Sequence, residues 1–369
     1  MKNSQDTLLK LIRISLWGAE DDVLSLPPDW SKVLRLARQQ TLLGLVAEAL
    51  PYLPNEFRPD LKTTEKLRSV AINICMTHSL LNRKLADLKT LLDVNGIDSV
   101  LFKGQGMALN YPNPLSRQCG DIDMYVGEKN FAKALVLLKP DTDESASDFR
   151  HLKHFDCEDE GVSLEIHRIA EIIPGRKRNR LFQEWTVRHL EGDEIYKAEI
   201  GGTVINLPPH QFNAVYIMNH AWHHFVSGGI GLRQLCDWTM FLHRYHKDID
   251  QNVLKQDLKM FGLTDAWKIL AGVAVDYLGL PAVECPLYSE EYASRAEMMM
   301  EVIWSEGNFG FHSEKSKPRP AGHFAGKFHS FSMSTRRKFR IFRLSPADVI
   351  QAWVRSFITG MRNLFVRVK

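Results

Sequence analysis

The chain has 369 residues, with 44% hydrophobic and 25% charged positions and a net charge of +3. That is an ordinary globular mixture with room for two or three domains, and it excludes a disordered or low-complexity chain. Five scattered cysteines show no CxxC or Cys/His spacing, so neither a disulfide framework nor a zinc site is expected, and a reducing, cytoplasmic setting is.

The amino terminus, MKNSQDTLLKLIRISLW, lacks the apolar run of a signal peptide, and nowhere do roughly 18 consecutive apolar residues occur. From Asp29 onward Val33, Leu36, Ala37, Leu43 and Val46 are spaced as one buried helical face, with Asp29 or Ser31 as the cap. A longer helix is expected over 64–94, carrying Leu67, Val70, Ile74, Leu81, Leu85, Leu88 and Leu92 at three- and four-residue steps and closed by Asn95-Gly96. IDSVLFKG then reads as a short buried strand, GQGMALN as a helical turn, and DIDMYV as a second strand reached through a Tyr111-Pro112 loop.

In a strand Asp121 and Asp123 point the same way, opposite to Ile122 and Met124. Two like charges on one face repel, and a divalent cation between them removes the repulsion. A helix around 130–138 and an acidic, mobile loop, PDTDESASD, follow. Two strand-like runs, HLKHFDCED and GVSLEIHR, then join through Glu160-Gly161. In the second, Val162, Leu164 and Ile166 alternate with Glu165 and His167, which places Glu165 opposite the apolar side. Beyond Pro208-Pro209 the pattern is helical through HQFNAVYIMNHAWHHF, GLRQLCDWTMFLHRY and LTDAWKILAGVAVDYLG. His220 and His224, four apart, lack the intervening Glu of an HExxH protease and read as packed or substrate-facing; Arg233 and Asp237, also four apart, read as an ion pair.

A strand ending in Lys103-Gly104, a strand with Asp121-x-Asp123 and a later strand with a third carboxylate resemble the nucleotidyltransferase fold of the DNA polymerase beta superfamily. The longer pattern is Lys103-Gly104, Tyr111-Pro112, Arg117, Asp121-Ile122-Asp123 and Glu165-Ile166-His167, followed by the His220 and Arg233 helices. It is similar to a family of uncharacterised bacterial nucleotidyltransferases often found near surface-polysaccharide genes, over about residues 29–242.

The resemblance implies an α+β protein, a mixed nucleotidyltransferase sheet embedded in a mainly helical chain. The regions are a helical 1–94, a catalytic 95–207, a helical 208–314 and a basic tail 315–369. It implies Mg²⁺ or Mn²⁺ on Asp121, Asp123 and Glu165, with Asp156 and Glu158 as rivals for the third position, and transfer of an NMP from an NTP such as ATP to an unidentified acceptor. Lys103, Gly104, Gln105 and Arg117 are the expected nucleotide-binding residues; Arg117 could instead pair with Asp121 or Asp123. Gln105 stands where many superfamily members have a phosphate-touching Ser. His167, His220, His224, Arg233 and Asp237 are expected beside the metal or toward the acceptor.

From Lys315 onward Asp348 is the only acid among many Lys and Arg. A capped amphipathic helix from Ser345, with Val349, Ile350, Trp353, Phe357, Met361, Leu364 and Phe365 in its stripe, has two open fates. It docks on the protein, or, with the other basic residues of 336–369, it lies on an anionic membrane at the inner face. No groove-reading motif accompanies the charge, so sequence-specific nucleic acid is not an expected partner. A non-catalytic nucleotide-binding scaffold is the alternative function; the repelling Asp-x-Asp pair argues against it.

Overall fold

A computed structural model describes residues 2–18, 24, 26–139, 152–307 and 323–354 of the chain, with the side chains of 323–331 left out. Helices α1 (Lys2–Trp17), α2 (Trp30–Gln39), α3 (Leu43–Ala49) and α4 (Leu61–Val94) come first, then β1 (Val100–Phe102), α5 (Gly104–Ala108), β2 (Asp121–Tyr125) and α6 (Gly127–Leu138). The hairpin β3 (His154–Asp159) and β4 (Val162–His167) follows, then α7 (Arg176–Leu190) and a second hairpin, β5 (Tyr196–Ile200) and β6 (Thr203–Leu207). The remainder is helical: α8 (His210–Ser227), α9 (Leu232–Tyr245), α10 (Gln251–Phe261), α11 (Thr264–Gly272), α12 (Ala293–Glu306) and α13 (His323–Ile341).

The main sheet has the order β1-β2-β4-β3, with β2 and β4 parallel and both edge strands antiparallel to their neighbours. Strand alternation divides its side chains cleanly. Leu101, Ile122, Met124, Leu164 and Ile166 pack with Leu81, Leu85, Leu88 and Leu92 of α4 into one core. Phe102 and Tyr125 face the larger helical core, where the Phe102 and Tyr216 rings lie 4.4 Å apart. This second face carries Asp121, Asp123, Glu165 and His167, so α8 stands over the charged side of the sheet. The protein is a mixed α+β fold whose small sheets sit within a mainly helical chain.

The long helix begins at Leu61, where the Asp60 side chain accepts from the Thr63 amide, three residues before the expected start. The face spaced from Asp29 is buried at Val33, Leu36, Ala37, Leu43 and Val46, but the chain forms two helices there, not one. The break has a tertiary cause. Buried Gln40 donates to Ile303 O (3.2 Å) and accepts from the Leu232 amide (3.0 Å), and Thr41 takes a left-handed conformation (φ 60) to let the chain turn. At the β3–β4 turn, Glu160 and Gly161 both have positive φ, the geometry that two-residue hairpins favour.

The sequence pattern assigns no element to 170–207, which holds α7 and the β5–β6 hairpin, nor does it mark α1, α10, α12 or α13. In the tail, 346–354 are helical and Val349 is buried, while Asp348 accepts from Trp222 Nε1 (3.0 Å). Phe357, Met361, Leu364 and Phe365 lie outside the described residues, as does the acidic loop 140–148. No helix among the described residues is long and apolar enough to cross a membrane.

Candidate active site

Two parallel strands build the centre of the site. The β2–β4 register sets Asp123 beside Glu165 and Asp121 beside Ser163, so three carboxylates converge on one sheet face. Asp121, Asp123 and Glu165 offer oxygens that all lie within 4.8 Å of one another. Of the rivals for third carboxylate, Asp156 pairs with Glu165 across the β3–β4 ladder and Glu158 with Ser163, yet neither joins the cluster, and the Asp156 side chain is 69% exposed.

Lys103 reaches this cluster from the end of β1 through a strained backbone (φ 50, ψ −141) followed by Gly104 at φ 47. A Cβ at Gly104 would meet Asp121 O at 3.5 Å, ordinary contact, so it is the positive φ more than crowding that favours glycine there. The Lys103 ammonium sits 2.9 Å from Asp123 Oδ1 and 3.2 Å from His220 Nε2. His167 Nε2 lies 3.0 Å from the same Asp123 oxygen and 3.5 Å from Glu165 Oε2.

The electrostatics follow from these positions. Burial works against the charge on Lys103, but Asp123 and Asp121 outweigh it and raise its pKa. Burial likewise opposes ionisation of Asp123, yet Lys103 and the His167 hydrogen bond hold its carboxyl well below the usual range. Asp121 goes the other way: burial first and then repulsion by Asp123 push it up, with Lys103 only partly compensating. The His167 hydrogen bond lowers Glu165 against the opposing effect of burial. Asp123 is thus neutralised by the protein, and Asp121 is not.

These groups line a cavity of about 260 Å³, roofed by α8 and α9 through Ile217, His220, Ala221, His224, Arg233 and Asp237. His220 and His224 stack edge to face with centroids 4.4 Å apart. Burial, then the charge of Lys103, holds His220 well below the ordinary imidazole range and His224 down at about 4.

Three expectations need correction. Arg117 pairs with neither Asp121 nor Asp123. Its Nε and Nη2 donate to Asp237 Oδ1 and Oδ2, each at 2.7 Å, in a buried bidentate bridge that Tyr111 OH completes at 2.7 Å; with that edge of the guanidinium committed, its expected phosphate contact is reduced to forming part of the cavity wall. Asp237 is therefore not the partner of Arg233, whose Nη1 donates to Gln118 O (3.1 Å); the planar fork from the 114–116 turn matches both carboxylate oxygens better than a helical neighbour does. Gln105, buried at 1% exposure in α5, does not line the cavity, so its side chain is not placed for the expected phosphate contact.

The sequence pattern does not single out His154, Lys153 or Glu171 as site residues. Lys153 Nζ lies 3.0 Å from both oxygens of buried Glu171, and Glu171 Oε2 lies 3.5 Å from His220 Nδ1. Burial opposes the Glu171 charge, but His220 and Lys153 draw its carboxyl well below the usual range. The signal was present in Ile169-Ala170-Glu171-Ile172-Ile173, where a single acid interrupts an apolar run.

The model of a family described as "Uncharacterised nucleotidyltransferase" matches residues 27–279. The chain belongs to that family. Every cavity residue named above falls inside the matched segment of this nucleotidyltransferase-family chain. A solved structure of an antigenic nucleotidyltransferase-like protein from Paracoccidioides brasiliensis is similar at 13% identity and a TM-score of 0.27, covering 52% of this chain and 91% of that one, a likeness too slight to argue from. No curated protein matches the chain.

Proposed function

We propose that this member of the family transfers a nucleoside monophosphate from an NTP, such as ATP, to an acceptor hydroxyl or phosphate and releases pyrophosphate, with Mg²⁺ or Mn²⁺ required. The observation that carries the reading is the convergence of Asp121, Asp123 and Glu165 within 4.8 Å beside a cationic wall. An all-oxygen donor set fits a hard divalent cation, and the raised pKa of Asp121 marks a carboxylate that the protein itself leaves under-neutralised. Bound there, such a cation supplies charge stabilisation to a phosphoryl group in transfer and acidifies an attacking hydroxyl.

The remaining roles belong to the side chains. Lys103, once Asp123 has another counter-charge, is free to donate to a phosphate oxygen from the same position, and Gly104 leaves the approach beside it open. Arg233 adds positive potential to the wall that a polyphosphate would meet, while the Lys153 charge is balanced by Glu171. A cavity of about 260 Å³ is smaller than the roughly 300–1,000 Å³ typical of small-molecule sites. It suits the polyphosphate, with sugar and base toward the mouth. His220 and His224, neutral at pH 7, offer hydrogen bonds without adding like charge to Lys103.

The test is incubation with each α-³²P-labelled NTP, Mg²⁺ and host lysate, with Asp121→Asn in parallel. Label should pass to an acceptor with wild type and not with the variant. Absence of transfer from all four nucleotides, or equal transfer by Asp121→Asn, would reject the proposal.

A further inference from the structure

The sheet face holds a second convergence of ligand side chains, which overlaps the carboxylate site at Glu165. In the antiparallel β3–β4 ladder His154 lies directly opposite His167, and Asp156 directly opposite Glu165. Side chains at paired positions share a face, so the two imidazoles stand side by side, centroids 5.1 Å apart, next to Glu165. One ligand atom from each of His154, Glu165 and His167 lies within 4.8 Å of the others. Ligand atoms at roughly 2.1 Å around a tetrahedral ion are about 3.4 Å apart, so the set would close on a cation by side-chain movements of about an ångström.

The ring nitrogens point the same way. His167 Nε2 faces Asp123 Oδ1 at 3.0 Å and Glu165 Oε2 at 3.5 Å; a proton donated to Asp123 leaves the lone pair on Nδ1, and a ring turned over to present a lone pair at Nε2 would set it between the two carboxylates. His154 Nε2 lies 3.5 Å from the exposed Asp156 Oδ1, an ion-pair distance that draws a proton toward Nε2 without a formed hydrogen bond. Both Nδ1 atoms are buried with no hydrogen-bond partner among the described residues. A buried lone pair without a donor is costly to keep unless something else takes it.

We propose that His154, Glu165 and His167 form a second cation site, sharing Glu165 with the carboxylate site and taking a first-row transition ion, Mn²⁺ or a softer one, in preference to Mg²⁺. Imidazole nitrogen favours such ions, whereas Mg²⁺ holds to oxygen. The inference rests on the proposed carboxylate site only through Glu165. It adds a nitrogen-ligated cation to a reaction centre otherwise built from oxygen donors.

Mn²⁺ bound to the full chain without nucleotide provides the probe. Three-pulse electron spin echo spectra should show ¹⁴N modulation from imidazole, and Mg²⁺ in tenfold excess should leave that signal in place. His154→Gln should weaken this Mn²⁺ class by about tenfold or more, as loss of a group supporting a metal does, while Mg²⁺ binding stays at the wild-type level and the melting temperature confirms folding. Mn²⁺ held by oxygen alone, or a nitrogen signal and affinity unchanged in His154→Gln, overturns the imidazole site and leaves the carboxylate reading standing. Failure to bind Mn²⁺ at all likewise overturns the imidazole site, while transfer with Mg²⁺ tests the carboxylate reading separately.

Discussion

Two buried acidic centres lie within one cavity wall and have opposite charge balances. Asp237 has a full set of donors: two from Arg117 and one from Tyr111, all at 2.7 Å. Burial disfavours its charge, yet Arg117 more than offsets that and its carboxyl stays below the usual range. The Asp121–Asp123–Glu165 centre has Lys103 and His167, both directed at Asp123, and Asp121 is left with a raised pKa. A carboxylate whose donors come from the protein serves the fold. One left short of counter-charge needs a ligand. The contrast separates a clamp holding the 114–117 turn to α9 from a carboxylate cluster that could hold a cation.

The largest expected effect comes from breaking the clamp. Arg117→Ala or Asp237→Ala leaves one buried charge unpaired, at a cost of about 3–5 kcal/mol. Urea unfolding should show a lower midpoint with an unchanged slope. Asp237 has a depressed folded pKa, so its stabilisation is present above the unfolded value, near 3.8, and is lost as pH falls through the folded value. The difference between wild type and Asp237→Ala should therefore shrink below that range. Nucleotide affinity that falls tenfold in Arg117→Ala with stability unchanged would move the residue from the clamp to the ligand.

A smaller and sharper effect lies inside the second centre, where neighbouring aspartates should respond with opposite signs. Ionised Asp121 is a liability in the cation-free protein, so in EDTA Asp121→Asn should raise the melting temperature, by at most about 2 °C for a gain under ~1 kcal/mol. Asp123→Asn removes the counter-charge of Lys103 and a charged acceptor for His167, and should cost about 1.5–3 kcal/mol. Added Mg²⁺ should then stabilise wild type by mass action and Asp121→Asn much less. Shifts of the same sign in EDTA would mean that the two carboxylates share their counter-charges evenly.

The two centres also differ in how well the sequence announces them. Asp121, Asp123 and Glu165 could be read because strand alternation is local: a period of two puts both aspartates opposite Ile122 and Met124, and Glu165 opposite Leu164 and Ile166. The Arg117–Asp237 bridge joins residues 120 positions apart, and no local periodicity favours it over the nearer Arg233. The same limit applies to Gln40, whose buried contacts with Ile303 and Leu232 interrupt a face that reads as one helix. Family resemblance located the acids and Lys103. It did not reveal what lies behind Lys103, because Glu171 enters through the turn of the chain after β4 and meets Lys153, the residue before β3, across that turn.

That support gives the smallest expected effect. Glu171 lies 3.5 Å from His220 Nδ1, and His220 Nε2 lies 3.2 Å from Lys103 Nζ. With His220 neutral, the Glu171 carboxylate at 3.5 Å draws the proton to Nδ1 by its charge, short of a formed hydrogen bond, and leaves the Nε2 lone pair to accept from Lys103, so Glu171 favours the tautomer that positions the ammonium. Glu171→Gln keeps the shape but replaces a carboxylate with an amide that points its NH₂ or its carbonyl at His220. One modest hydrogen bond is worth about 0.5–1.5 kcal/mol, or roughly two- to tenfold in an equilibrium. Because the affected group is the one assigned to the phosphates, the loss should fall on the KM for NTP, with kcat nearly constant and little change in nucleoside binding. Glu171 also holds Lys153, so a purely structural role is a real competitor. It would lower the melting temperature and depress KM and kcat effects together, and Glu171→Asp, which keeps the charge while withdrawing it by one methylene, would then fare no better than Gln. Recovery of part of the NTP affinity by Asp over Gln, at equal melting temperature, is the outcome that positioning through His220 requires.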